Sequence, residues 1–420
     1  MRSLWQTVHR CQIESAEDIY DAQGVKLWAS HQALAPELLD KLTGRQLRKP
    51  IELCVVAKDP VAVAALLESV EAVCAQWPHF DAALAPHRLA VHDALRALLP
   101  NPQELLMISV MRHGQSKLLA HTAAVTGLTL VLALVVGLDA RSMRALAHAA
   151  LLHDVGMLYW PSDLTGAAAE RAYLQHPVLG ARAAVELARS SHEIEQLVAC
   201  SHERVDGSGF PRTLAGDQLT LAARVLEFAE AMVEPLTSLG QGAMRAAVAA
   251  RIVPGEFEQK LVSWIALLAR AVAAPQASPG DEAQWPAIGA ALRQLHGDLA
   301  RCMVLLSMPA GEVPEVRTAA AAWYKRLYPL MRALRSSGVE EALVQGQTPE
   351  PQSAGEAAEL LALHQELVQR MAAFLQSLRL QLSQNDYLPD SPLTKHLFRI
   401  LDPVAPEGMG PAAVAPSQPP

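Results

Sequence analysis

The stretch LLHDVGMLYWP, residues 151–161, carries an adjacent histidine and aspartate, His153 and Asp154. Three further histidines lie before and after this pair: His121, His176 and His202. Imidazole nitrogens and a carboxylate form the mixed donor set that suits borderline divalent metals such as iron, manganese, zinc or nickel. An aspartate next to a ligating histidine can bridge two ions. The pattern therefore predicts a metal centre, although single histidines on Ala- and Leu-rich helices are more often core or surface residues.

The amino-acid composition limits the possible fold classes and binding partners. Hydrophobic residues make up 51% of the chain and aromatic residues only 5%. Because much of this content is alanine and leucine, it favours helices and argues against a β-sandwich. The net charge of −8 gives no electrostatic reason to expect nucleic-acid binding. The five cysteines are widely spaced without a C-x-x-C pair, which favours a reducing, cytoplasmic location.

The order of the site residues resembles the HD-GYP branch of the HD phosphohydrolases. The resemblance is carried by three motifs: His153-Asp154-Val-Gly156, His176-Pro177 and the segment HERVDGSGFP at 202–211. It implies a mainly α, HD-type helical bundle that hydrolyses cyclic di-GMP, a bacterial second messenger. It also implies two divalent metal ions, with His153 and Asp154 as catalytic residues. The implied ligands are His121, His153, Asp154, His176, His202 and Glu230.

A glycine-rich loop occupies the place of the family's Gly-Tyr-Pro turn. Its residues are Asp206, Gly207, Gly209, Phe210 and Pro211. The resemblance implies that this loop contacts diguanylate cyclase partners. From the residues alone the alternative is an ordinary loop whose glycines can take positive φ, since Gly-x-Gly by itself is a weak signal. A dinucleotide fingerprint is excluded because Arg212 stands where its third glycine would be.

Several positions depart from the family's pattern. Ser201 replaces the first of two consecutive histidines, Met157 replaces a lysine, and Glu230 replaces a shorter aspartate. Lys117 stands where some members have a glutamate, which argues against a third metal. The family's Arg-Pro-Tyr-Arg segment is absent. The main hypothesis is a metal-dependent cyclic di-GMP phosphodiesterase with weakened activity. The alternative is an inactive regulator that binds nucleotide or a cyclase through the segment Asp206 to Pro211.

One segment is apolar enough to be mistaken for a membrane span. Leu118 to Leu138 holds no charged residue and reaches spanning length. It also holds His121 and three threonines, however, and the family's first ligand helix falls here. The sequence therefore predicts a buried core helix and no membrane association.

The chain divides into four predicted regions. Residues 1–102 form a small α+β module for sensing or docking, and residues 103–274 form the HD-GYP-type domain, in which Gly156 ends the helix that carries His153. Residues 286–390 form a C-terminal helical extension, and residues 402–420, rich in proline, form a disordered tail. The oligomeric state stays open, with a homodimer among the options.

Finer features are predicted inside these regions. In the first region, two short strands flank a turn near Asp21, a further strand covers 50–56, and helices cover Pro36–Leu42 and 61–99. Pro275–Gly280 reads as a linker. The C-terminal extension is predicted to contain helices at 286–308, 315–338 and 355–384. Leucines recur at three- and four-residue spacing from Leu360 to Leu378, which indicates a helix face packed in a core.

Overall fold

A computed structural model describes most of the chain, at residues 12–35, 38, 41–42, 44–61, 63–160, 164–186, 189–238, 242–272, 285–309, 311–345, 347, 351, 353–383 and 388–401. The predicted tail, the linker at Pro275–Gly280 and most of the predicted helix at Pro36–Leu42 lie outside the described residues. The chain splits into two compact units. Unit 1 comprises 1–164, 172–204 and 209–233, and unit 2 comprises 165–171, 205–208 and 234–420. The four regions named above remain a prediction.

Unit 1 begins with two small antiparallel sheets. Its strands are β1 (Ile13–Ser15), β2 (Ile19–Tyr20), β3 (Lys26–Trp28) and β4 (Val55–Ala57). β1 pairs with β4, and β2 pairs with β3, so the predicted pair of strands around the Asp21 turn is confirmed. Asp21 Oδ1 closes this turn by accepting hydrogen bonds from the backbone N–H groups of Gln23 and Val25, at 3.1 and 2.8 Å.

The strand predicted over 50–56 is wrong in its first half. Residues Ile51–Cys54 form a short helix, α1, and the strand β4 begins only at Val55. Ile51 and Cys54 are both buried. Because they are three residues apart, a helical turn places both on one face, whereas a strand would turn one of them outward.

Helices make up the rest of unit 1 and confirm the predicted mainly α fold. They are α2 (Val63–Gln76), α3 (Pro78–Leu84), α4 (Arg88–Arg96), α5 (Pro102–Gly114), α6 (Ser116–Val136), α7 (Ala140–Leu152), α8 (Gly166–Glu186), α9 (His192–Ala199) and α10 (Leu221–Leu236). α8 and α10 also include residues 166–171 and 234–236, which group with unit 2. The helices predicted over 61–99 are confirmed by α2, α3 and α4.

Local sequence signals set the ends of the helices that carry the site. The Asn101 side chain accepts hydrogen bonds from the first turn of α5 while Glu104 caps back, which forms a capping box. α6 ends where Gly137 takes a left-handed conformation, with φ 81°. Asp139 then caps α7 by accepting from the backbone N–H of Ser142 at 2.9 Å. These caps fix where α6 ends and where α5 and α7 begin.

The apolar helix α6 is a core helix, as predicted. By length and composition it could cross a membrane, but 72% of its most apolar stretch is buried inside the protein. One of its polar residues, Thr126, donates its hydroxyl to the Thr122 carbonyl at 2.7 Å. The burial of α6 places His121 inside unit 1.

Unit 2 has a helical core of its own. Its helices are α11 (Gly242–Arg251), α12 (Gln259–Ala271), α13 (Trp285–Ser307), α14 (Pro314–Ser336), α15 (Glu340–Val344), α16 (Ala354–Ser383) and α17 (Pro392–Leu401). The three predicted helices are confirmed as α13, α14 and α16, whereas α15 and α17 were not predicted. The leucine face of α16 is buried, for example at Leu367 and Leu378, as its spacing indicated.

Candidate metal centre

The six predicted ligands converge inside unit 1. They are His121 on α6, His153 and Asp154 directly after α7, His176 on α8, His202 after α9, and Glu230 on α10. Elements far apart in sequence therefore deliver their side chains to one place. His153 and His176 are fully buried, and Asp154 and His202 are nearly so.

The first half of the cluster joins His121, His153 and Glu230. Glu230 Oε2 lies 3.0 Å from His121 Nε2 and 3.1 Å from His153 Nε2. One ligand atom from each residue lies within 4.8 Å of the other two, which is close enough to hold a metal ion. We call this set the Glu230 triad.

The second half joins Asp154, His176 and His202, and we call it the Asp154 triad. Asp154 Oδ1 lies 3.1 Å from His176 Nε2 and 3.9 Å from His202 Nε2. The two Nε2 atoms of His176 and His202 are 3.0 Å apart. One ligand atom from each of these three residues also lies within 4.8 Å of the other two, which is close enough to hold a metal ion.

Asp154 faces both triads. Its Oδ2 atom lies 3.6 Å from His121 Nε2, whereas its Oδ1 atom lies 3.5 Å from His153 Nε2 and within reach of His176. Asp154 thus lies against residues of both triads, and a carboxylate so placed is suited to bridge two cations. The adjacency of His153 and Asp154 in the sequence is what makes this geometry possible.

Backbone carbonyls orient two of the imidazoles. His153 Nδ1 donates to the Ala150 carbonyl at 2.7 Å, and His176 Nδ1 donates to the Tyr173 carbonyl at 2.5 Å. Because a carbonyl only accepts, Nδ1 carries the hydrogen, so that each ring, when neutral, presents its Nε2 lone pair to the cluster. This second contact is the usual way in which a protein fixes a metal-binding histidine.

The donor set fits a divalent cation. His153 Nε2 is buried and makes no hydrogen bond of acceptable geometry, although Glu230 lies beside it. The Nε2 atoms of His176 and His202 face each other, and Asp154 faces both. Lone pairs and carboxylates gathered in a buried place repel each other unless a proton or a metal ion lies between them. The cluster could therefore hold metal.

Without a metal, these charges shift the pKa values in opposite directions. Burial opposes protonation of His153, but Asp154 and Glu230 outweigh it and raise the pKa of His153 to about 9. Burial lowers the pKa of His202 to about 4. Burial would raise the pKa of Glu230, yet the neighbouring histidines hold that pKa well below its usual range. The positive charge of protonated His153 therefore offsets part of the negative charge of Asp154 and Glu230.

Gly156 has a role that differs from the predicted one. The helix α7 ends at Leu152, and Gly156 lies in the following 3-10 helix, so the prediction that Gly156 ends α7 is wrong. A side chain at Gly156 would place its Cβ 2.0 Å from the His176 carbonyl oxygen. The absence of a side chain therefore lets α8, which carries His176, approach closely.

Of the positions that depart from the family's pattern, Glu230 joins the cluster, whereas Ser201, Met157 and Lys117 do not. Ser201 is fully buried, and its hydroxyl donates to the Val198 carbonyl at 3.0 Å. Met157 is half-buried in the 3-10 helix, and Lys117 is exposed on α6. The Asp154 triad therefore has one protein donor fewer than the family's pattern would provide.

The glycine-rich loop packs Phe210 against a ligand. The Phe210 ring stacks on His202, with ring centroids 4.8 Å apart and planes 13° from parallel. The Phe210 backbone N–H donates to the His202 carbonyl at 3.0 Å. Gly207 takes the expected positive φ of 78°, whereas Gly209 is needed for space, since its Cβ would lie 2.4 Å from Glu203 Cα.

Sequence reasoning assigned no role to two residues beside the ligands. The fully buried Glu203 accepts hydrogen bonds from the backbone N–H groups of Arg212 and Leu214, at 2.8 and 2.9 Å, and so closes the loop. Tyr173 packs its ring against His176 and His202. Each has a signal in the sequence: Glu203 adjoins a ligand, and Tyr173 precedes His176 by almost one helical turn.

Comparison with known proteins agrees with this geometry. A protein-family model described as the HD domain matches residues 106–254. A cyclic di-GMP phosphodiesterase of Pseudomonas aeruginosa is 28% identical over 141 residues, which cover 32% of this chain and 34% of the relative. A 3'3'-cGAMP-specific phosphodiesterase of Vibrio cholerae is 29% identical over 131 residues, which cover 30% of each chain.

The likeness to these relatives is confined to one part of each protein. The matched stretches span about a third of the length of the curated relatives. Together, the family match and the two relatives confirm the identification made from the motifs: residues 106–254 of this chain are an HD domain of the HD-GYP phosphohydrolase type.

Proposed function

We propose that this chain is a metal-dependent phosphodiesterase that hydrolyses a cyclic dinucleotide, with cyclic di-GMP as its substrate. The single observation that carries the proposal is that Asp154, a member of the buried Asp154 triad, also lies against His121 and His153 of the Glu230 triad. The names of the two relatives support the substrate class, since both are phosphodiesterases named for cyclic dinucleotides.

We further propose two divalent ions per chain. The Glu230 triad would hold one and the Asp154 triad the other, with Asp154 shared. Nitrogen and carboxylate donors suit iron, manganese, zinc or nickel. When bound, such ions polarise a phosphoryl oxygen and lower the pKa of water to near neutrality.

The residues of the chain have three tasks in this reaction. His153 and His176, fixed by backbone carbonyls, present neutral nitrogens. Asp154 and Glu230 supply the negative charge that balances the cations. Burial of the ligands excludes bulk water and strengthens every electrostatic interaction in the site. His153 and Asp154 are the proposed catalytic pair.

The proposal also covers the binding partner, the oligomeric state and the cellular location. We propose that the loop from Asp206 to Pro211 is the surface that would meet a diguanylate cyclase domain, since Phe210 links it directly to the ligand His202. A homodimer and a cytoplasmic location complete the proposal. The burial of α6 supports the view that this helix does not serve as a membrane anchor.

The test measures metal and turnover in the same preparation. Purified protein is expected to contain about two metal ions per chain and to hydrolyse cyclic di-GMP, with 3'3'-cGAMP as the competing substrate. Preferential hydrolysis of 3'3'-cGAMP would show that the proposed substrate is wrong, whereas the proposed reaction would stand. Metal-loaded protein that cleaves neither compound would contradict the proposed function and favour a regulator that only binds.

A further inference from the structure

Tyr173 stands at the edge of the Asp154 triad. Its ring centroid lies 5.3 Å from that of His176, 5.7 Å from that of His202 and 5.3 Å from that of Phe210. The residue is half-buried, so it touches the ligands and still reaches solvent. Part of its side chain is therefore accessible from outside the protein while its ring packs on two residues of the triad.

The two polar groups of Tyr173 have different tasks. Its backbone carbonyl accepts the Nδ1–H of His176 and orients that ring. Its phenol hydroxyl makes no hydrogen bond with any residue that the structure describes. The ring to which this hydroxyl is attached contacts two members of the Asp154 triad, His176 and His202. A phenol so placed is a free donor beside the cluster.

A phosphodiester needs such donors here. The substrate is anionic, and the position where the family has a lysine is occupied by Met157. The nearby Arg204 is engaged by the buried carboxylate of Glu227, at 3.1 Å, and by the Glu203 carbonyl. Its charge is therefore already compensated within the protein. A neutral hydroxyl can donate to a phosphoryl oxygen without adding charge to the site.

We propose that the Tyr173 hydroxyl donates a hydrogen bond to a nonbridging phosphoryl oxygen of the scissile phosphodiester. The inference rests on the proposed function for its natural substrate, and it makes Tyr173 a substrate-contacting residue. A purely structural Tyr173 would act through its ring, which holds His176, His202 and Phe210 in place. The hydroxyl and the ring can be separated because Tyr173→Phe removes only the hydroxyl.

The experiment compares Tyr173→Phe with wild type on two substrates, cyclic di-GMP and bis(4-nitrophenyl) phosphate, which shares only the phosphodiester group. We expect kcat/KM to fall about tenfold on both, which is about 1.4 kcal/mol of barrier. Metal content and thermal stability are expected to stay at the wild-type level. Tyr328→Phe is the matched control, since Tyr328 is 45% exposed on α14 and its change should leave kcat/KM unaltered.

Three results would overturn the inference. Unchanged kcat/KM on both substrates would show that the hydroxyl does not contact substrate. A fall on cyclic di-GMP alone would place the contact on the nucleoside instead of the phosphoryl oxygen. A fall that matches a loss of bound metal would assign Tyr173 to ligand positioning. If wild type cleaves only bis(4-nitrophenyl) phosphate, the proposed natural substrate is wrong, while the comparison on that compound still decides the role of Tyr173.

Discussion

Each unit contains a cluster of buried ionisable side chains, and the two clusters differ in how their charge is compensated. In unit 2, Arg370 on α16 donates from Nε to Glu366 at 2.8 Å, from Nη1 to Glu256 at 2.9 Å and from Nη2 to the Ala249 carbonyl at 3.0 Å. In unit 1, the ligand cluster gathers four imidazoles and two carboxylates around Asp154 without an arginine or lysine among them. In the first cluster an arginine supplies the cation, whereas the second consists of residue types that could hold a metal ion.

This difference separates a structural network from a binding site. Every nitrogen of the Arg370 side chain has an acceptor, and the two carboxylates raise its pKa, so the charge stays in place. In the ligand cluster, His153 Nε2 has no hydrogen-bond partner among the described residues. Buried polar groups that converge without satisfying one another mark a place where a ligand belongs.

The strongest test removes the charge that both triads share. Asp154→Asn keeps the shape of the side chain but removes the negative charge facing His121, His153 and His176. We expect metal content to drop well below two ions per chain and cyclic di-GMP hydrolysis to fall by about a thousandfold. Elemental analysis and turnover of the same sample measure both.

The control for this change is Asp93→Asn, because Asp93 is 77% exposed on α4. It should keep wild-type metal content and activity. If Asp154→Asn retained its metal and its turnover, the bridging role of Asp154 would be wrong, and the contrast between the two clusters would lose its basis.

The second test breaks the network that is already complete. Arg370→Met leaves Glu256 and Glu366 buried without their cation, and removing one partner of a buried pair costs about 3–5 kcal/mol. We expect the free energy of unfolding, measured in urea, to fall by about that amount. Adding Glu256→Gln and Glu366→Gln should restore a large part of it, since no uncompensated charge then remains.

A surface pair provides the comparison for Arg370. Arg251 and Glu359 are both about half exposed, and exposed ion pairs contribute only about 0–1 kcal/mol. Arg251→Met should therefore change the free energy of unfolding little. Equal losses for Arg251→Met and Arg370→Met would show that burial does not distinguish the two pairs.

The third test uses pH to distinguish a proton from a metal in the ligand cluster. In the metal-free protein the pKa of His153 is raised to about 9, whereas a metal requires the neutral imidazole. Protons therefore compete with metal below about pH 9, and metal affinity should rise with pH by up to about tenfold per unit between pH 7 and 9.

The stability of the metal-free protein should change with pH in the opposite direction, and it should fall as the pH rises. Because the folded pKa of His153 lies above the usual 6.5, its contribution to stability is fully present below pH 6.5 and is lost as the pH rises through 9. Isothermal titration with zinc and urea unfolding of the chelator-treated protein measure the two trends. A metal affinity that does not change between pH 7 and 9 would contradict the protonation of His153.

The sequence predicted what local patterns determine. The His-Asp pair, the spaced histidines and the leucine face of α16 each follow from residue type and spacing, and the identification of an HD-type domain depends on them. The sequence did not predict that Gly156 is required for the approach of α8, because that requirement comes from the position of the His176 carbonyl. Tyr173 was missed for the same reason, since its role depends on rings brought together by tertiary packing.

Glu230 shows how the structure refines a comparison of side-chain lengths. From the sequence, Glu230 stands where the family has the shorter aspartate. In the structure, Oε2 lies 3.0 Å from His121 and 3.1 Å from His153, so the longer side chain reaches both ligands. Glu230→Asp would withdraw the carboxylate from one or both of them.

The last test, with the smallest expected effect, concerns Ser201 in the Asp154 triad. This triad has three protein donors, and the Ser201 hydroxyl is engaged by the Val198 carbonyl. Ser201→His would add an imidazole beside His202, and Met157→Lys would add a cation for the substrate phosphate. We expect the double change to raise metal occupancy and to increase cyclic di-GMP hydrolysis about tenfold, or about 1.4 kcal/mol of barrier.

Burial limits this gain. Ser201 is fully buried, so a histidine must displace its neighbours, and overpacking a core costs about 1–3 kcal/mol of stability. The variant should therefore melt at a lower temperature without metal and recover when metal is added, because ligand binding stabilises the folded state. Ser307→His, on the exposed surface of α13, controls for nonspecific metal binding by an added histidine. If the double variant gained metal but not hydrolysis, the limit on activity would lie in substrate contacts such as that of Tyr173 and not in the missing ligand.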